Sequence, residues 1–304
     1  MPLPLAVSVR EVGPRDGLQI EAPLTTAHKL ELLKALVATG VPRIEATAFV
    51  SPRAVPSLSD AAQVAAALGQ FPAVQWSALV ANAAGARRAV AAGVRDLEYV
   101  VSAMDGHSLA NSRRSSDEAV AEVAEVAEVV HGAGGTCEVI IAVAWDCPFD
   151  GPTPAARTAA VAARALQLGA DQVCLGDTIG TASPARVLQL IDAVRAEIGQ
   201  TPLGAHFHDT RGMGLANAWA AVLAGVTQLD ASIGGLGGCP FAPGASGNIA
   251  TEELVYLLED AGISTGLRLE ATLDAARLAG ELVGHALPSG LLRANGRSRP
   301  QGRA

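Results

Sequence analysis

Short runs rich in β-branched residues recur along the whole chain, separated by stretches with helical periodicity, and no other regularity restricts the fold as sharply. The apolar runs fall at 7–12, 43–50, 74–80, 96–102, 137–144, 172–175, 203–208 and 228–233. Between them apolar residues return at i, i+3 and i+4, the spacing that lines one face of a helix. Leu30, Leu33 and Val37 form such a stripe within 26–39, and Val120, Val123, Val126 and Val130 another within 117–130. A small residue followed by Gly40, Gly93 or Gly225 closes several helical stretches, with Gly169-Ala170 a variant. Glycine ends a helix there by taking the left-handed conformation and turning the chain back toward the next strand. Eight strand–helix units spaced about 30 residues apart predict an α/β fold, a (β/α)8 TIM barrel. An open doubly wound sheet would place a G-x-G-x-x-G turn after the first strand, whereas that turn reads Gly13-Pro14-Arg15-Asp16-Gly17. Beyond an eighth helix at 251–260, a further helical segment at 269–283 is expected to pack on the barrel's outside or rim. Residues 1–287 thus form one barrel domain. The segment 288–304, rich in Gly, Arg, Ser and Pro, reads as a solvated tail whose Arg293, Arg297, Arg299 and Arg303 are surface charge.

Composition removes several classes of function. The 304 residues carry a net charge of −8 and only 3% aromatics, so the basic surface and stacking rings of a nucleic-acid binder are missing. Mean hydropathy is +0.30, but the most apolar run, 139–145, has the length of a strand and cannot cross a bilayer. The start shows no secretory pattern, and a cytoplasmic enzyme or binding protein is expected. Four cysteines (Cys137, Cys147, Cys174 and Cys239) without a Cys-x-x-Cys pair argue against a thiolate metal site or a disulfide scaffold.

In a (β/α)8 barrel, chemistry sits at the carboxyl ends of the strands. The first strand leads into Arg15 and Asp16, the second carries Glu45 in an apolar run, and the sixth ends at Asp177. The seventh ends in His206-Phe207-His208. Residues i and i+2 of a strand share a side, so the two imidazoles face together and Phe207 turns away. Barrel closure sets the eighth strand beside the first and the seventh, which brings Asp16 and Asn248 next to the histidines. Carboxylate, two imidazoles and an amide oxygen form an N/O donor set suited to an octahedral divalent cation, Mg²⁺ or Mn²⁺. Glu45 and Asp177 are carboxylates in apolar strands, a placement that calls for a partner or a function, and Arg15 is the obvious partner. Arg15 can also present its guanidinium to a developing oxyanion. Cys239 lies among Gly234, Gly235, Gly237, Gly238, Gly244 and Gly247, the composition of a mobile lid, where a thiol is suited to act as nucleophile or proton donor.

These motifs resemble the 3-hydroxy-3-methylglutaryl-CoA lyase family, within the wider group of metal-dependent carbon–carbon lyases and synthases. The residues that carry the likeness are Glu11-Val-Gly-Pro-Arg15-Asp16-Gly-Leu-Gln19, Ile44-Glu45 through Pro52, Leu175-Gly-Asp177-Thr-Ile-Gly180, His206 through Thr210, and the glycine loop from Gly235 through Cys239 to Asn248. The cysteine loop is the part most specific to the lyases. The resemblance implies that Asp16, His206, His208 and Asn248 hold the metal and that Arg15 stabilises a thioester enolate. It also implies that Cys239 handles the proton at the departing acetyl carbon, with Glu45 and Asp177 as active-site carboxylates. The base that takes the hydroxyl proton is Asp177 or His206. The expected reaction is retro-Claisen cleavage of a 3-hydroxyacyl-CoA to acetyl-CoA and a ketone, acetoacetate for the family's usual substrate in leucine degradation. After the fourth strand the chain departs from the family pattern, reading Met104-Asp-Gly-His107-Ser-Leu-Ala-Asn111-Ser-Arg113-Arg114, and Ala48, Cys174 and Ala22 replace residues common in the family. A lyase for another branched 3-hydroxy-diacid CoA, of isohexenylglutaryl or citramalyl type, and a Claisen-condensing relative therefore stay open. Asn111 and Arg113 are candidate CoA contacts, and by analogy of fold a homodimer is expected.

Overall fold

Residues 3–238 and 247–297 are described by a computed structural model, in which every expected strand joins one closed barrel. The strands are β1 (Ser8–Glu11), β2 (Arg43–Phe49), β3 (Gln75–Val80), β4 (Asp96–Ser102), β5 (Cys137–Ala142), β6 (Gln172–Asp177), β7 (Leu203–Phe207) and β8 (Gln228–Ala231). All neighbours are parallel, and β1 is paired with both β2 and β8, which closes the ring.

The surrounding helices are α1 (Thr26–Thr39), α2 (Ala61–Ala67), α3 (Ala83–Ala91), α4 (Asp105–Ser112), α5 (Ser116–Ala121), α6 (Val123–Gly132), α7 (Ala155–Gln167), α8 (Pro184–Ile198), α9 (Gly214–Leu223), α10 (Thr251–Asp260), α11 (Leu269–Val283) and α12 (Gly290–Arg293). Local chemistry fixes their ends. Thr25 accepts a hydrogen bond from His28 N at the start of α1, and Gly40 closes it at φ 91°. Ser115 and Glu118 make a reciprocal capping box on α5. The helix expected over 117–130 is broken at Glu122, whose carboxylate accepts from Ala83 N and pairs with Arg114.

Strand alternation sorts the barrel wall into two faces. Leu97, Tyr99 and Val101 of β4, Val139 and Ile141 of β5, and Ala205 and Phe207 of β7 pack outward into the helix layer. The residues between them point inward, and several are ionic: Arg10, Glu98, Glu138, His206 and Asp230 are all buried. Part of the barrel interior is thus a charged network where branched apolar layers are usual, with Val100 and Ile140 among the apolar inward residues.

The segment expected to be a solvated tail begins folded. Ser289 caps α12 by accepting from Leu292 N, and Glu253 of α10 accepts from Gly290 N (2.5 Å) and Leu291 N (3.0 Å). Arg297 then lies 5.1 Å above the Tyr256 ring. Donors at 290 and 291 meeting an acidic side chain on α10 outweigh the low apolar content of this stretch. No described helix is long and apolar enough to cross a membrane.

Candidate active site and metal centre

The turn after β1 builds one wall of the site. Gly13–Gly17 forms a single π-helical turn, with Pro14 at its first positions and Leu18 N reaching back to Gly13 O at 2.9 Å. The turn expected after the first strand is this wide one, and it carries Arg15 and Asp16 side by side over the barrel mouth. Arg15 Nε donates to Glu45 Oε2 at 2.6 Å, and Nη1 to Asp16 Oδ1 at 2.5 Å. Glu45 is fully buried in β2, so the expected ion pair is present, and its Oε1 has no partner among the described residues.

The end of β7 supplies the opposite wall. His206 and His208 face the same side with ring centroids 5.1 Å apart, while Phe207 packs against Trp145. His208 Nε2 lies 3.5 Å and His206 Nε2 4.0 Å from Asp16 Oδ2. Asn248 arrives through residues 247–250, which run along the strand end. Asp209 N donates to Gly247 O, Ile249 N donates to Phe207 O, and His208 and Asn248 form an antiparallel bridge. Asn248 Nδ2 donates to Asp16 Oδ2 at 2.7 Å and to Leu236 O at 3.0 Å. Two glycines permit this approach. A Cβ on Gly237, which has φ 123°, would sit 2.6 Å from Asn248 Nδ2, and one on Gly247 would sit 2.4 Å from the Gly237 backbone.

Asp16, His206 and His208 each offer a ligand atom, all within 4.8 Å of one another. Asn248 Oδ1 and both ring nitrogens of His208 are buried without hydrogen-bond partners among the described residues. Unsatisfied N and O acceptors converging on a carboxylate are the donor set a hard divalent cation completes. Burial opposes the charge on Asp16, but Arg15, with the histidines, outweighs it and holds the carboxyl well below the usual range. Burial pushes Glu45 up, with Arg15 pulling against it. Asp177, at the end of β6, is also pushed up by burial, although Thr181 N (3.0 Å) and Ala182 N (3.1 Å) donate to its two oxygens.

The structure therefore brings together Arg15, Asp16, Glu45, His206, His208 and Asn248. Cys239 lies outside the described residues. Asn111 and Arg113 are exposed near the carboxyl end of α4 and take no part in the buried network. The sequence reading missed a second ionic tier. Arg10 Nε and Nη2 donate to Asp230 (2.8 and 2.9 Å), Nη1 to Glu98 (2.6 Å) and Nη2 to Glu138 (2.8 Å), and Asp230 Oδ2 is 3.1 Å from His206 Nδ1. The available signal was a charged residue at an inward position of four separate strands, the same anomaly that singled out Glu45.

A family model described as HMGL-like matches residues 6–279. The hydroxymethylglutaryl-CoA lyase of Bacillus subtilis is 38% identical over 290 residues, 95% of this chain and 97% of that protein. The (R)-citramalyl-CoA lyase of Chloroflexus aurantiacus is 40% identical over 295 residues, 93% of each chain. Among solved structures, an HMG-CoA lyase from Acinetobacter baumannii, in complex with coenzyme A and 3-methylmalate, superposes with a TM-score of 0.92 at 39% identity and covers 98% of both chains.

Proposed function

Because the chain belongs to the HMGL-like family, we propose that it is a carbon–carbon lyase acting on a 3-hydroxy-3-methylglutaryl-CoA-like thioester, releasing acetyl-CoA and a ketone, acetoacetate for the methylglutaryl acyl group. The observation that carries this reading is the meeting of Arg15, Asp16, His206, His208 and Asn248 at one end of the barrel. Asp16, His206, His208 and Asn248 would hold a divalent cation, Mg²⁺ or Mn²⁺, which supplies Lewis-acid polarisation of the substrate's hydroxyl and carbonyl oxygens.

The chain's own groups then divide the work. His206 Nδ1 is taken by Asp230 and its Nε2 is assigned to the cation, which favours Asp177 as the base that takes the 3-hydroxyl proton. Each Asp177 oxygen keeps a lone pair beyond its backbone hydrogen bond, and its raised proton affinity suits proton transfer. Loss of that proton frees an electron pair on oxygen to form the ketone C=O as the C2–C3 bond breaks, and the broken bond's pair passes to the thioester as an enolate. Arg15, held by Glu45 at Nε and by Asp16 at Nη1, offers its remaining N–H groups to that oxyanion. A proton delivered to C2 completes acetyl-CoA, and Cys239 is the donor of that proton. Asn111 and Arg113 contact the CoA moiety, and the enzyme works as a cytoplasmic homodimer.

A second reading, a lyase for a citramalyl- or isohexenylglutaryl-type thioester, is favoured by the equal likeness to the citramalyl-CoA lyase. Metal-reconstituted protein incubated with a panel of 3-hydroxy-diacid CoA thioesters separates the two by the ketone released. Consumption of acetyl-CoA with a 2-keto acid would instead reveal a condensing enzyme. Cleavage retained by Asp16→Ala or His208→Ala at saturating metal would remove the ligand assignment.

A further inference from the structure

Arg10, Asp230 and His206 lie in one register row across β1, β8 and β7, Arg10 opposite Asp230 and Asp230 opposite His206. Residues directly opposite in adjacent strands present their side chains to the same face, so all three enter the barrel interior at one height. Each is buried. Asp230 Oδ1 accepts from Arg10 Nε at 2.8 Å; its Oδ2 accepts from Arg10 Nη2 at 2.9 Å and lies 3.1 Å from His206 Nδ1. Arg10 is itself pinned by Glu98 at 2.6 Å and Glu138 at 2.8 Å. A guanidinium has only donors, and a carboxylate ion-paired to it is acceptor-only. The proton in the Asp230–His206 contact therefore belongs to Nδ1, which leaves the Nε2 lone pair on the side of Asp16. His208 has no such support, since neither of its nitrogens has a hydrogen-bond partner among the described residues.

We infer that Asp230 is a positioning residue for the cation site: locked by Arg10, it holds His206 in the Nδ1–H tautomer and presents Nε2 beside Asp16 and His208. This rests on the cation site proposed above. Carboxylate partners of metal-binding imidazoles fix tautomer and ring orientation and raise donor strength. A carboxylate serving only as counter-ion to Arg10 would leave the imidazole's tautomer free.

The test reads the tautomer directly. Nitrogen-15 spectra of histidine-labelled, metal-free protein near pH 8 are expected to show His206 protonated at Nδ1. Asp230→Asn, whose amide oxygen still accepts from Nδ1–H, is expected to keep that tautomer. Asp230→Ala is expected to shift it to Nε2–H and to weaken Mn²⁺ binding, measured by calorimetric titration, about 10- to 100-fold. Should Asp230→Ala fail to fold, the spectrum of the unsubstituted protein and that of Asp230→Asn decide the matter. A His206 proton on Nε2 in the unsubstituted protein, or an Asp230→Ala protein with unchanged tautomer and Mn²⁺ affinity, overturns the inference. An unsubstituted protein that binds no Mn²⁺ yet keeps Nδ1–H on His206 overturns the cation site and still supports the tautomer assignment.

Discussion

Arg15 carries two kinds of contact at once, and that doubling defines what the residue scale can predict. Its guanidinium bonds Glu45 through Nε and Asp16 through Nη1, so two carboxylates fix its plane. A lysine keeps the charge but cannot reproduce that fork. Arg15→Lys is therefore expected to fold, to bind thioester with a KM near that of the unsubstituted enzyme, and to lose about 10²- to 10³-fold in kcat. Steady-state rates of acetyl-CoA release check this, and a kcat within about threefold of the original would show that Arg15 has no part in oxyanion stabilisation. At this scale much of the site could be read directly. His206 and His208 stand two apart at a strand end, and Glu45 sits inside an apolar run, so local spacing reveals both. Arg10 and Asp230 escaped because each looks like a solitary charge until the strand register sets them side by side.

Glu11 shows what one residue does for whole elements. From the end of β1 its Oε1 accepts from Gly13 N (2.7 Å) and Ile233 N (2.9 Å), and its Oε2 accepts from Thr251 Oγ1 (2.6 Å). It thereby ties the Arg15–Asp16 turn to the segment after β8 and to the start of α10. Burial pushes its carboxyl up to about 7 from 4.5, the three hydrogen bonds only partly offsetting the cost. The folded protein thus holds this proton more tightly than the unfolded chain. Its contribution to stability falls as pH climbs from about 4.5 to about 7 and is constant above, where Glu11 is charged in both states. Glu11→Gln keeps an acceptor for both N–H groups and removes the charge. Urea unfolding near pH 5 and near pH 8 is expected to show the variant gaining stability relative to the parent at the higher value. An identical pH dependence in the two proteins would contradict a buried, titrating Glu11. Glu11→Ala strands three donors, each costing about 1–3 kcal/mol. An element differed from expectation where a tertiary partner intervened: α12 forms because Glu253 accepts its first N–H groups.

The closed ring is what brings the proposed cation ligands together from opposite ends of the chain. Asp16 follows the first strand and Asn248 the eighth, yet Asn248 Nδ2 donates to Asp16 Oδ2 because β1 pairs with β8. A cation held across that seam binds only the closed form. Mn²⁺ at about one hundred times its Kd should add roughly 2.7 kcal/mol to stability. Calorimetric melting is expected to show a higher Tm with Mn²⁺ than with chelator, a difference that Asp16→Ala abolishes. An equal Mn²⁺-dependent rise in Asp16→Ala would place the bound cation elsewhere on the molecule. The ionic interior beneath the seam, with Arg10 holding Glu98, Glu138 and Asp230, gives His206 a charged footing. Removing one partner from such a buried set exposes the others to the full desolvation cost.

The order of residues alone determined the barrel, because strand and helix periods and glycine stops are local properties that alternate eight times over. It also determined which chemical groups stand at the strand ends, since alternation along a strand needs no partner to be known. Tertiary structure alone decided that Arg10 faces Asp230 and Asp230 faces His206, and that Gly237 must yield room for Asn248. Those relations depend on register and on backbone approach between segments far apart in the chain, and the period of a single segment carries neither.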